Sequence, residues 1–275
     1  MKLSIRWRAA VLVTLCALMI GCKKEPQPGA APTTGPAAAA KELDIAAAAD
    51  LQYAMETVSA KFREAHPDVD VKITYGSSGN FFSHISNHAP FDLFLSADTS
   101  YPEKLLASGE AVKGSEFNYA IGRIVLWAPT GSKFDPANRK MDALTDPDLK
   151  RIAIANPDHA PYGRAAEAAL KTYKLWDTLQ PKIVKGGNIS ETATMVRTGG
   201  ADVGIIALSL ALAPSMKDAG TYYEIPAEDY PALKQEGVIL SYAKNPDAAA
   251  QFKQFLLGSE ARTILEQFGF AMPKE

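Results

Sequence analysis

The sequence contains very little cysteine. Cys16 and Cys22 are the only cysteines in 275 residues, and both lie close to the N-terminus. This excludes a disulfide framework and a cysteine-based metal site for the rest of the chain. Long apolar runs are also missing, because no stretch after the N-terminus approaches the ~18–20 apolar residues that a bilayer crossing requires. We therefore expect the chain beyond its N-terminal segment to fold as a soluble protein.

Short motifs that carry catalysis or nucleotide binding are absent too. The patterns G-x-S-x-G, H-E-x-x-H, G-x-x-x-x-G-K-[ST] and G-x-G-x-x-G do not occur. His84 and His88 have the i, i+4 spacing that can hold zinc from one helix face, but the sequence offers no third ligand nearby, so a solvated helix face is the better interpretation. We expect neither an enzyme nor a bound cofactor.

Excess positive charge is lacking as well. The chain has 29 Lys and Arg against 31 Asp and Glu, which gives a formal net charge of −2. Residues 1–21 contain three basic residues and no acidic one, so their removal takes the charge to −5. A mildly acidic body argues against nucleic acid as a partner.

The N-terminus has the pattern of an export signal. Lys2, Arg6 and Arg8 precede an apolar run over residues 9–20, and the letters LMIGC at 18–22 resemble the bacterial lipobox. We interpret residues 1–21 as a lipoprotein signal peptide and Cys22 as the lipidated residue. The protein would then be anchored by lipid in the cell envelope or periplasm and touch the membrane only through that anchor. An ordinary signal peptide cut elsewhere is the alternative.

Residues 22–41 are rich in Pro, Gly, Ala and Thr without apolar periodicity, which is typical of a disordered tether. Beyond them, short apolar runs alternate with helical patterns, so the fold class is α/β with mainly parallel sheets. The alternation starts afresh after an extended run at 120–128. We therefore predict a two-lobed architecture, with lobe 1 at 42–121 plus 239–275 and lobe 2 at 122–238.

Several elements are specific enough to be compared with a structure. Strands are predicted at 43–48, 69–75, 91–96, 152–155, 183–184, 203–207 and 238–243, and helices at 51–64, 80–88, 101–108, 142–149, 164–173 and 189–197, with two more closing the chain. In open α/β sheets, ligands bind beyond the carboxyl ends of the strands. The site should therefore be sought in strand-to-helix turns.

Four such turns combine small residues with a helix start: AADL at 48–51, GSSG at 76–79, APYG at 160–163 and GNIS at 187–190. Free backbone N–H groups and the positive end of the helix dipole attract anions there. Several helix starts meeting at one point would hold a dianion without lysine or arginine. Each turn taken singly is more commonly a simple cap.

The sequence resembles the molybdate-binding proteins of bacterial ABC importers from residue 43 to 270. The resemblance is carried by AAADL at 47–51, YGSSG at 75–79, APFDLFLSAD at 89–98, YAIG at 119–122, AIANP at 153–157, APYG at 160–163 and QFGF at 267–270. It implies a type II periplasmic-binding fold with the ligand between the lobes. It further implies a monomer that captures molybdate or tungstate and delivers it to an ABC transporter permease.

The resemblance also implies the residues that contact the oxyanion, with no metal site other than the oxyanion itself. They are Ala49, Asp50, Ser77, Ser78, Tyr162 and Ile189. Some relatives have a second tyrosine where this chain has Ala207, so Tyr162 would supply the hydroxyl instead. His159, beside the third turn, is expected to be a loop histidine without a ligand role. Exposed acids such as Glu103, Glu167 or Asp177 are candidates for docking the permease.

Asp50 departs from the pattern, since relatives commonly have serine or asparagine there and a carboxylate repels a dianion. Asp50 could cap its own helix, could be protonated in the complex, or could indicate a different ligand. We favour capping.

Two other functions remain open. The chain could be a receptor for another oxyanion such as sulfate, or for a small organic acid. A lipid-tethered module without a ligand, or an enzyme acting on phosphate or sulfate esters, fits the glycine- and serine-rich turns less well.

Overall fold

The computed structural model describes residues 40–274. Within them, ten strands form two five-stranded sheets. The strands are β1 (Lys41–Ala48), β2 (Val69–Gly76), β3 (Leu93–Ser96), β4 (Phe117–Gly122), β5 (Ile124–Pro129), β6 (Ile152–Ala155), β7 (Ile183–Gly186), β8 (Val203–Ala207), β9 (Gly220–Glu224) and β10 (Leu233–Ile239). The signal peptide, the tether up to residue 39 and Cys22 lie outside the described residues.

Ten α-helices cover these sheets in the described part of the chain. They are α1 (Gln52–Ala65), α2 (Ser78–Ile85), α3 (Ser100–Ser108), α4 (Pro136–Arg139), α5 (Pro161–Thr172), α6 (Trp176–Leu179), α7 (Ile189–Arg197), α8 (Leu208–Ala211), α9 (Pro246–Leu257) and α10 (Ser259–Gln267). None of the helices between residues 40 and 274 has the length and apolar character that a bilayer crossing requires.

The two sheets repeat one design. The first has the order β2-β1-β3-β10-β4 and the second β7-β6-β8-β5-β9. In each, three strands run parallel and are followed by helices, while a strand arriving from the other half pairs antiparallel beside them. The predicted two-lobed α/β fold is confirmed.

The chain crosses between the sheets twice in this part of the molecule. Arg123 alone separates β4 in the first sheet from β5 in the second, and residues 225–232 lead from β9 back to β10. The Arg123 Nε donates to the Gly269 carbonyl at 2.8 Å, and its Nη1 donates to Glu224 Oε1 at 2.8 Å. The first crossing is therefore tied to both the C-terminal segment and the second sheet.

The second crossing differs from the prediction. β10 pairs with β3 and β4, so the chain has already returned to the first lobe at Leu233, and not at 239. The predicted strand at 238–243 shares only its first two residues with β10, because LKQEGVI interrupts its apolar residues with Lys234 and Glu236. β9 was not predicted, and the helix expected at 142–149 is a 3-10 helix over Lys140–Thr145.

The core of the first lobe is closed by the end of the chain. Phe62 of α1 and Phe252 of α9 are fully buried, and their ring centroids lie 5.0 Å apart in an edge-to-face arrangement. Phe255 adds a second edge contact to Phe62 at 5.6 Å. Aromatic pairs of this geometry contribute beyond the apolar area that they bury. The C-terminal helices are thus part of the first lobe.

Phe252→Ala is expected to lower the free energy of unfolding by about 3–5 kcal/mol, because it leaves a cavity under α1 that the surrounding helices cannot fill. Urea denaturation followed by circular dichroism measures the change. Gln254→Ala, at an exposed position of the same helix, is the control and should change stability by less than about 0.5 kcal/mol. Equal effects of the two substitutions would contradict the packing role.

Candidate functional site

The four glycine- and serine-rich turns meet at one small cavity between the two lobes. All six residues expected to contact a ligand line it: Ala49, Asp50, Ser77, Ser78, Tyr162 and Ile189, together with Ala48, Gly76, Ala97, Ala160 and Pro161. The cavity volume is about 10 Å³. The structure therefore brings the predicted residues together, while their contact with a ligand stays a prediction.

Local sequence builds these helix starts. Ser77 is the N-cap of α2, where its Oγ accepts from the Asn80 N–H, and Asn188 caps α7 by accepting from the Glu191 N–H. The Glu191 carboxylate in turn accepts from the Gly187 N–H, one residue before the cap. α5 begins with Pro161, whose fixed φ suits the first helical position. The first N–H groups of each helix are left without intrahelical partners at this end.

The cavity wall carries no cationic side chain. Among the described residues that line it, Asp50 and Tyr162 are the only ones with a group that ionises by losing a proton, and lysine, arginine and histidine do not occur. Any anion held here must be bound by neutral donors and helix dipoles. The buried Ser78 fits this role, because its Oγ accepts from the Ala97 N–H at 3.0 Å and its hydroxyl can then donate in turn.

Asp50 is buried with two hydrogen-bond donors and no counter-ion. Its side-chain Oδ2 accepts from the Tyr162 hydroxyl at 2.8 Å and from Gln235 Nε2 at 2.5 Å. Its Oδ1 is buried and has no hydrogen-bond partner among the described residues. Burial raises the pKa of Asp50 to about 6, although the bonds from Gln235 and Tyr162, and the backbone N–H of Asp50 itself, oppose the shift.

The capping interpretation of Asp50 was wrong. The short 3-10 helix that contains it, Ala49–Leu51, and α1 behind it have no side-chain cap. The carboxylate instead joins Tyr162 of the second lobe to Gln235 of β10 in the first. Burial raises the pKa of Tyr162 as well, so the phenol stays protonated and acts as the donor of this pair.

Gln235 was missed by the sequence analysis. It is fully buried in β10, and its Nε2 lies 3.3 Å from the Tyr162 hydroxyl in addition to bonding Asp50. In the sequence, Gln235 is a single uncharged polar residue between the charged Lys234 and Glu236. That pattern is typical of an exposed segment and does not predict burial. Only the pairing of β10 in the middle of the first sheet makes that position an interior one.

Hydrogen bonds between the lobes close the cavity. The Gly79 N–H donates to the His159 carbonyl at 2.9 Å, and Ser77 Oγ lies 2.9 Å from His159 Nδ1. His159, expected to be a plain loop residue, thus bridges the lobes. On the other sides Ser190 Oγ donates to Gln52 Oε1 at 2.8 Å, and the Arg164 guanidinium pairs with Asp98. The structure is a closed form.

Gly79 is required by this closure. A Cβ at residue 79 would lie 2.5 Å from the His159 carbonyl oxygen and 2.9 Å from its Cα, both backbone atoms of the other lobe. Such contacts are far inside van der Waals distance. The glycine therefore allows the two backbones to approach each other beside the cavity.

Comparison with known proteins places this geometry in context. Residues 43–271 match the family described as bacterial extracellular solute-binding protein. The molybdate-binding protein ModA of Rhodobacter capsulatus is 36% identical over 233 residues, which is 85% of this chain and 89% of the relative. A putative ABC transporter substrate-binding lipoprotein of Bacillus subtilis, YvgL, is 28% identical over 83% of this chain and 85% of its own length.

Among solved structures, the periplasmic molybdate-binding protein of Azotobacter vinelandii superposes with a TM-score of 0.78 at 32% identity. The superposition covers 84% of this chain and all of that one.

The raised pKa of Asp50 makes a prediction about stability. Because the folded protein holds this proton more tightly than the unfolded chain does, stability should be lost as the pH rises from about 4 to about 6. In Asp50→Asn that loss is absent. Urea titrations from pH 4 to pH 7 should therefore show the free energy of unfolding of the variant, relative to wild type, increasing by on the order of 2–3 kcal/mol.

The exposed Asp70→Asn is the control for this experiment and should show no such pH-dependent difference. Parallel pH curves for wild type and Asp50→Asn would contradict the raised pKa.

Proposed function

The chain belongs to the family of bacterial extracellular solute-binding proteins, and we propose that it captures molybdate or tungstate and delivers it to the permease of an ABC transporter. The observation that carries the proposal is the closed cavity between the lobes, which is lined by helix starts and neutral donors. Such a site favours a small, fully ionised oxyanion. The names of the Rhodobacter and Azotobacter relatives support molybdate as that ion.

The size and chemistry of the cavity support a small inorganic ligand. A volume of about 10 Å³ is far below the usual range of pockets for organic ligands, which begins at roughly 300 Å³. Amino acids and sugars are therefore poor candidates for this closed form. Apart from Asp50, the cavity wall offers no charged acceptor for a ligand proton.

Asp50 supports one competing ligand class. Two unit charges ~4 Å apart repel by about 4 kcal/mol at the effective dielectric constant of 20 that suits such sites. An ionised Asp50 would thus disfavour a dianion, but it could accept the proton of hydrogen phosphate or of an organic acid. A receptor for a proton-bearing oxyanion is the second candidate function.

Thermal-shift measurements and calorimetry with molybdate, tungstate, sulfate and phosphate separate these candidates. We expect molybdate and tungstate to stabilise the protein, by about 4 kcal/mol at a thousandfold excess over Kd, and sulfate and phosphate to have little effect. A preference for phosphate would favour the second candidate. We expect stoichiometric binding without turnover, so release of product from a phosphate or sulfate ester would indicate an enzyme.

Closure provides an independent test. We expect Gly79→Ala to lower molybdate affinity at least tenfold, because its Cβ keeps the His159 loop from approaching. Its other close contact, 2.7 Å to the Tyr101 hydroxyl, is with the end of a side chain in the same lobe. Calorimetry gives the affinity, and small-angle scattering with ligand shows whether the protein still becomes compact. Asn80→Ala, at the exposed next position of α2, is the control and should bind as wild type does. Wild-type affinity of Gly79→Ala would show that closure is not needed for binding.

Lipid anchoring through Cys22 is proposed from the N-terminal pattern, and the name of the Bacillus relative supports it. The protein would then work as a monomer in the cell envelope. Cys22→Ala should move the protein from the membrane fraction to the soluble envelope fraction after expression in a bacterial host. Cys16→Ala, within the apolar run, should stay with the membrane. Membrane retention of Cys22→Ala would contradict the anchor.

A further inference from the structure

The Asp50 carboxyl group has one oxygen engaged and one free of partners. Oδ2 already receives two hydrogen bonds, from Tyr162 and Gln235. Oδ1 has no hydrogen-bond partner among the described residues, although the residue is only 1% exposed and lines the cavity. A buried polar atom without a partner is uncommon and calls for an explanation. Because Asp50 lines the cavity, a ligand held there can supply that partner.

The groups that face Asp50 cannot neutralise it. Tyr162 approaches from α5, Gln235 from β10, and Ser209 of α8 donates to the Asp50 carbonyl at 2.8 Å. Tyr119 of β4 lies near enough for its pKa to be raised further by Asp50, and its hydroxyl donates to the Ser96 carbonyl. The two tyrosines are the titratable groups of this set, and burial keeps both protonated. None of these elements presents a positive charge to Asp50.

A proton on Oδ1 removes two conflicts at once. It cancels the negative charge that would repel a dianion in a cavity without cations. It also converts the free oxygen from an acceptor, which an oxyanion cannot use, into a hydrogen-bond donor, which it can. Oδ2 keeps its two donors, so the rest of the cluster need not rearrange.

Resting on the proposed function, we infer that Asp50 binds the oxyanion as a neutral carboxylic acid and donates its Oδ1 proton in a hydrogen bond to one ligand oxygen. The proton comes from the solvent and stays on the protein. Each anion captured at pH 7 or above is therefore accompanied by close to one proton, and release of the anion returns it. Asp50 acts as a ligand-contacting residue that makes capture tighter in acid.

Calorimetry of the full chain with sodium molybdate tests this inference between pH 7 and pH 9, where molybdate is a dianion. Titrations in two buffers of different ionisation enthalpy give the number of protons taken up. For wild type we expect close to one proton per anion, and an affinity that falls nearly tenfold for each pH unit. For Asp50→Asn, whose amide donates without titrating, we expect no proton uptake and less than a twofold change in affinity over the same range.

Glu236→Gln is the matched control. Glu236 is the next residue in β10, past a shift in strand register between Gln235 and Glu236, and burial raises its pKa to about 7. We expect this variant to keep the proton uptake and the pH slope of wild type. If it loses them instead, the linkage belongs to Glu236 and the inference is wrong.

The remaining outcomes separate the inference from the proposed function. Molybdate binding by wild type without proton uptake, or an unchanged pH slope in Asp50→Asn, overturns the inference and leaves the proposed function in place. Binding of phosphate but not molybdate, with no proton uptake, overturns both and indicates that the ligand brings its own proton to an ionised Asp50.

Discussion

A buried carboxyl group without a counter-ion is the constraint around which this site is organised. Asp50 lies at the meeting point of the two lobes, and its partners come from each of them: Tyr162 from the second and Gln235 from the first. These bonds hold the walls of the cavity in a defined geometry. They also influence the charge of Asp50, which a ligand in the cavity would face. Ligand choice therefore depends on whether this group is charged as much as on the shape of the cavity.

The helix starts around Asp50 show how the α/β fold serves anion capture. Parallel strands of both sheets end at the cavity, and the helices that follow them begin there. The lobes repeat the same order of strands, so the second half of the chain reproduces what the first half provides. Caps such as Ser77 and Asn188 satisfy the flanking N–H groups and fix the direction of the first turns. Neither lobe alone contains a complete cavity wall.

Features that depend on local pattern could be predicted from the sequence. The alternation of strands and helices predicted the two-lobed fold, and the four turns indicated where the site lies, while the resemblance to molybdate-binding proteins implied the individual residues. Contacts between residues far apart in the chain could not be predicted in this way. Asp50 has the sequence environment of a helix cap, but its partners lie 112 and 185 residues further along the chain. Gln235 has charged neighbours on both sides, and β10 becomes a central strand only by pairing with β3 and β4.

The bonds that join the lobes have a consequence for transport. Three contacts connect one lobe to the other without a ligand: Gly79 with His159, Ser190 with Gln52 and Arg164 with Asp98. The closed form is therefore stabilised by interactions within the protein, and a bound ligand adds to them. A ligand shifts the equilibrium between the open and closed forms only by the difference between its binding free energies for the two forms. A transporter that sensed lobe position alone would also respond to unloaded molecules, so these bonds must be weak enough for loading to control the signal.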